Sequence, residues 1–194
     1  MLKSLPTFAA LLLAAACAAP VKQAAPPAPQ PAAAAPVVGG APMYPTYNIV
    51  QNASNSNVHR TLVSAVRAAG LADSLSGPGP FTLFAPTDEA FQRLPQGTLE
   101  SLMTPGNRSL LARLLNYHVV PGSKTRAQIA ADARAGGGTA SYRTAEGTTI
   151  RVGIQGNSVV VTDIHGNRSS VSIADVTQSN GVIHVLDGVL LPTI

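Results

Sequence analysis

Hydrophobic residues are arranged in different ways along this chain. Between Val58 and Ala69 they recur at helical spacing, with Val58, Leu62, Ala65, Val66 and Ala69 on one stripe, as an amphipathic helix requires. Ser54, Asn55 or Ser56 can cap its start and Gly70 can end it. His59 and Arg60 fall off the stripe, which predicts a solvated face for both. After the glycines at 136–138 the pattern changes to short segments that alternate or run apolar. "TASYRT", "TTIRVGI", "NSVVVT" and "SSVSIADV" read as short strands, and "HGN" at 165–167 marks a hairpin turn. "GVIHVLDGVLLP" is apolar at nearly every position and reads as a strand pair or a bent strand.

The abrupt change lies in "FTLFAPTDEAF", residues 81–91. Phe81 to Ala85 carry bulk on both faces, which predicts a strand buried inside the fold. Pro86 lacks the amide that a ladder needs and ends the strand. Thr87 stands at a helix N-cap, and Asp88 and Glu89 fall in the first turn, where the dipole favours negative charge. Ala90, Phe91 and Leu94 start the next apolar stripe. Neighbouring carboxylates can also mean acid-base chemistry, but adjacent helix positions point in different directions. "TLESLM", "NRSLLARLLNYH" and "SKTRAQIAADAR" read as further short helices, and "YHVVPG" as a strand closed by a Pro-Gly turn. Helices precede strands, so the class is α+β.

The first 45 residues fit neither period. "MLKS" supplies one positive charge and "LPTFAALLLAAA" an apolar stretch too short for a membrane span, so residues 1–17 read as an export signal. They end at Cys17, the single cysteine. "LAAAC" resembles the lipobox of bacterial lipoproteins, with Leu13 one place earlier than the family prefers. The resemblance implies lipidation of Cys17. Ala18, where inner-membrane retention uses Asp, points to the outer membrane, periplasmic or surface-exposed. An ordinary cut after small residues, giving a secreted protein, is the alternative. Acyl chains anchor at about 0.8 kcal/mol per buried methylene. Residues 18–45 are rich in Ala and Pro and read as a tether of up to about 85 Å if fully extended. Residues 46–194 have the mixed composition of one domain, enough to bury a core.

Charge adds mainly exclusions. Net charge is +4, from 13 basic and 9 acidic residues, and no basic run exists. Trp is absent. A nucleic-acid partner is therefore not expected. No G-x-S-x-G or H-E-x-x-H is present. His59, His118, His165 and His184 are far apart and lack ligand spacing, so neither metal nor cofactor is expected. "SGPGP" at 76–80 is a turn and no phosphate loop.

Three segments together, "FTLFAPTDEAF", "LLNYHVVPG" and "SNGVIHVLDGVLLP", resemble the signature motifs of the fasciclin domain in order and spacing. The resemblance spans about residues 46–194. It implies a β-sandwich-like core with a layer of short helices, and a non-catalytic adhesion or binding module, here a monomeric domain tethered to the cell envelope. The implied partner is a protein or polysaccharide. In animal relatives the Tyr-His pair and an Asp-Ile pair are linked to integrin contact. The matching positions are Tyr117 and His118, and Asp175 and Val176, with Val in place of Ile. Bland readings stand beside these: His118 and His184 as buried, bonded histidines, Tyr117 as core, and Asn180-Gly181 and Asp187-Gly188 as turns. Thr87, Asp88, Asn180, Gly181, His184 and Asp187 are thus structural motif positions. Two further functions stay open. A carrier of a small apolar ligand needs a cavity of several hundred Å3. A small hydrolase needs a histidine, carboxylate and nucleophile converging in a cleft.

Overall fold

A computed structural model describes residues 35–193. The expected export signal, Cys17 and most of the tether lie outside the described residues. The tether's expected last stretch does not stay a tether: β1 (Val37–Val38) and β2 (Ala41–Pro42) form a small hairpin. Val38 and Met43 bury there at 2% exposure each, so two apolar side chains overrule the Pro-rich composition around them.

One expected helix is in fact part of a run of three. α1 (Ile49–Asn55) opens on a capping box between Asn48 and Gln51. α2 (Arg60–Ala69) buries the forecast stripe, and Gly70 ends it in the left-handed region at φ 72°. α3 (Ala72–Ser76) leads into β3 (Phe81–Pro86). Then come α4 (Asp88–Gln92), α5 (Thr98–Leu102), α6 (Arg108–Tyr117), β4 (Val119–Pro121) and α7 (Arg126–Ala135). The strand-rich half follows: β5 (Thr139–Arg143), β6 (Thr149–Gln155), β7 (Ser158–Thr162), β8 (Arg168–Gln178) and β9 (Gly181–Leu186). The final apolar segment therefore contributes one strand, not a pair.

Seven of these strands hydrogen-bond in the order β4-β3-β9-β8-β7-β6-β5. β3 and β9 are parallel and the other neighbours antiparallel. β8 does two jobs: its first residues pair with β7 and its remainder with β9, with two register shifts between Val171 and Val176. Such bulges bend a strand. The sheet curls, and beyond β5 the Ala145 amide reaches the Val119 carbonyl at 2.7 Å. The result is α+β with a sandwich-like curled sheet.

Two apolar cores follow from that bend. One lies between α1–α6 and one face of the parallel pair, and includes Leu62, Leu111, Leu83 and Ile183. The other fills the curl, with Phe84, Tyr117, Ile129, Ile150, Val161 and Leu186. β3 and β9 send alternate residues to each, which is why neither strand carries a solvent face.

Candidate functional site

The corner after β3 uses its polar residues for backbone amides. Thr87 Oγ1 accepts from the Ala90 amide at 3.3 Å, capping α4. Asp88 reaches outward: its carboxylate accepts from the Thr61 amide at 2.8 Å and the Arg60 amide at 3.3 Å. It thereby caps α2, whose own N-cap residue His59 offers no side-chain bond. The expected caps at 54–56 do not serve, because Ser56 ends α1 instead. His59 corrects the forecast of a solvated face. It is 2% exposed and its Nδ1 shares a hydrogen bond with Ser56 Oγ at 2.9 Å. Burial lowers its pKa, against the pull of Asp88 and the Ala85 backbone.

The Tyr-His pair is interior. Tyr117 is 0% and His118 1% exposed, so neither presents a contact surface, and His118 is the C-cap of α6, not part of a strand. Tyr117 Oη accepts from the Ile164 amide at 3.0 Å. His118 Nδ1 donates to the Leu114 carbonyl at 2.8 Å, and Nε2 accepts from the Leu190 amide at 3.0 Å. Both partners suit a neutral ring, and burial lowers its pKa to about 4. His184 has the opposite tautomer. Nε2 donates to the Lys124 carbonyl at 2.7 Å and Nδ1 accepts from the Asp175 amide at 3.3 Å. It stacks on Phe84 with centroids 5.4 Å apart, and burial lowers its pKa too. Asp175 is exposed, at φ 58°, and accepts from the Arg126 amide at the start of α7 at 2.6 Å. Its neighbour Val176 is buried at 1%. Of the four proposed contact residues, only Asp175 reaches solvent.

The last signature segment is a clamp. Asn180 Oδ1 accepts from the Ile49 amide at 3.0 Å, and Nδ2 donates to the carbonyls of Leu75 at 2.9 Å and Gly77 at 3.0 Å. Gly181 begins β9, and a Cβ there would meet the Phe81 carbonyl oxygen at 1.9 Å. Close backbone approach, more than a turn, requires this glycine. Asp187 Oδ1 accepts from the Ser170 amide at 2.7 Å. Two further polar anchors lie outside the signature segments. Asn52 bonds Tyr44 and Gln178. Asp163 is 5% exposed and gathers the amides of His165, Asn167 and Leu191. Asp163 follows a strand and precedes "HGN", so the Asx-turn chemistry of that position was the available clue.

A surface cluster on α7 and β5 has the types that chemistry uses. Lys124 lies 3.3 Å from Asp132 and over the Tyr142 ring at 4.9 Å, and Tyr142 Oη donates to Asp132 at 2.8 Å. Burial, and then Asp132, raise the Tyr142 pKa, while Tyr142 and Lys124 lower that of Asp132. The three side chains satisfy one another, and the Tyr142–Asp132 bond staples α7 to β5. Among the described residues no group of three His, Cys, Asp or Glu could hold a metal ion, and no helix is long and apolar enough to cross a membrane. Apolar cavities are small. The one between α5, α6 and the C-terminal segment, lined by Leu102, Leu110 and Leu191, holds about 50 Å3. Two larger depressions, of about 440 and 480 Å3, have mixed linings: Gln178 and Ser179 with Pro78, Pro80 and Val182 in one, and Thr162 and Arg151 with Ile164 in the other.

Comparison with known proteins gives this architecture a context. The fasciclin domain profile matches residues 57–192. Protein sll1483 from Synechocystis sp. is 44% identical over 156 residues, covering 80% of this chain and 79% of that one. Immunogenic protein MPB70 from Mycobacterium bovis is 34% identical over 145 residues, covering 72% of this chain and 66% of that one. Human periostin is 37% identical over 134 residues, 67% of this chain but 14% of its own length. The solved FAS1 domain pair of the insect cell adhesion molecule fasciclin I superposes with a TM-score of 0.69 at 19% identity, over 76% of this chain and 52% of that one.

Proposed function

This chain belongs to the fasciclin-domain family, and from that membership we propose that its folded part is a non-catalytic binding or adhesion module held outside the cytoplasm, tethered to the envelope by lipid on Cys17. The single observation that carries the reading is the state of the signature side chains. Asp88, His118, Asn180 and His184 spend their polar atoms on backbone amides and carbonyls, and both signature histidines are buried with both ring nitrogens bonded. A general base must reach a substrate proton at hydrogen-bond distance, and these rings face protein on every side. A solved relative in fold is a cell adhesion molecule, which supports binding as the use of such a scaffold. Among the described residues the two apolar cavities hold about 10 and 50 Å3, which favours binding at the surface over carriage of a lipid inside the core.

The test immobilises residues 35–194 and exposes them to envelope extracts and purified polysaccharides. Retention of one partner, competed off by free domain, is the expected result. Recovery of only a small hydrophobic molecule would instead establish a carrier. Mass spectrometry of the mature N-terminal peptide addresses the tether. Diacylglycerol and acyl masses on Cys17 are expected, and an unmodified thiol rules the lipid anchor out.

A further inference from the structure

The outer face of the strand-rich half is unlike the rest of the molecule. The register sets Ser141, Arg151, Thr162 and Arg168 side by side across β5, β6, β7 and β8. In the adjoining row Arg143 pairs with Thr149. The inward partners of these residues, such as Ala140, Ile150 and Val161, are buried in the second core, so this row points out. Arg143, Arg151 and Arg168 are exposed. None has a carboxylate partner among the described residues, where the ion pairs are Arg113–Glu146 and Lys124–Asp132. Arg143 is held through Nε by the Gly147 carbonyl at 3.1 Å, which leaves its terminal nitrogens to solvent. The acids flanking this face are already engaged. Glu146 bonds Arg113 and Thr148, and Asp163 is buried under its own turn.

Resting on the binding reading above, we infer that this face is the contact surface and that its ligand is a linear anionic polysaccharide bearing carboxylates. Charge complementarity sets the sign: three guanidinium groups with no facing acid attract an anion, and a guanidinium suits a carboxylate bidentately. Geometry sets the form. Arg151 and Arg168 stand two strands apart, about 10 Å, and Arg143 lies diagonal to Arg151 at about 7–8 Å. Guanidinium groups spread over that distance can meet several charges of an extended polymer at once, which a single small anion does not offer. Chemistry of the intervening positions sets the class. Ser141, Thr149 and Thr162 offer hydroxyls that can donate to and accept from sugar hydroxyls. The row holds no aromatic ring on which a nucleobase would stack. Nor does it hold the run of apolar side chains that inserts into a lipid interface, since Ile164 at the rim is a single residue.

The experiment measures binding of residues 35–194 to polygalacturonate, with neutral dextran, single-stranded DNA and phosphatidylglycerol vesicles as parallel probes. Binding to polygalacturonate that weakens with added salt, and absence of binding to dextran, are expected. The R143Q/R151Q/R168Q variant should lose at least tenfold in affinity while melting within a few degrees of the parent. A variant with three arginines removed elsewhere, R60Q/R67Q/R134Q, should keep most of it. Equal loss in both variants would reduce the effect to net charge and overturn the inference. So would no binding to polygalacturonate, or tighter binding to DNA or to vesicles. If the triple variant still retains an envelope partner in the pull-down, this surface is wrong while the binding function stands. If parent and variant both retain nothing, the binding function falls with it.

Discussion

The parallel pair β3 and β9 and the outer face of β5–β8 treat polar side chains in opposite ways. In the first, Thr82 and His184 are 0% exposed, and each bonds the backbone between β4 and α7. In the second, arginines and hydroxyls stand in solvent with few internal partners. The contrast teaches where to look for function in this fold. The buried residues that identify the family hold its corners, and the exposed arginine row lies outside those segments.

Four measurements break or sharpen that contrast. The largest effect belongs to Gly181→Ala. A methyl 1.9 Å from the Phe81 carbonyl forces the parallel pair apart, a loss of about 4 kcal/mol or more, and urea denaturation or loss of soluble yield reads it. A parent-like midpoint would show that β9 can shift at no cost. Next is pH. His118 has a folded pKa of about 4 against about 6.5 unfolded. Between those values the unfolded chain binds the proton and the folded chain does not. Stability is therefore complete above pH 6.5 and drains away as pH falls toward 4, by on the order of 3 kcal/mol for this residue. His59 and His184 shift in the same direction and add to the loss. Urea midpoints at fixed ionic strength across that range check it, and a flat profile means the rings are hydrated. Third, Asp88→Ala removes the cap of α2 from 27 positions away and should cost about 1–2 kcal/mol. Hydrogen exchange should rise first at Arg60 and Thr61. Smallest is Arg151→Gln, exposed and without an ion pair among the described residues, with a change within about 0.5 kcal/mol by thermal melting.

The same division explains what was legible in the sequence. The strand-cap-helix step at 81–92, the stripe of α2 and the strands β5 to β7 appear as written, because each is fixed by neighbours within a few residues. What escaped depends on distant partners. His59 reads as solvated from helical phase, but it precedes the helix proper and is enclosed near the Asp88 corner. Val38 and Met43 belong to a domain edge that composition assigned to the tether. The clamp of Asn180 spans 131 positions to Ile49, a distance no local pattern encodes. The arginine row was invisible for a related reason: Arg143, Arg151 and Arg168 are neighbours only once the register is known.

β3 and β9 lie side by side although 100 residues separate Phe81 from Gly181, its partner. Both apolar interiors take residues from that seam, so neither can finish until the chain beyond residue 186 is available to dock. Contacts so remote in sequence form slowly. The long connection between the two strands makes their pairing entropically costly, and the two interiors close together when that seam forms.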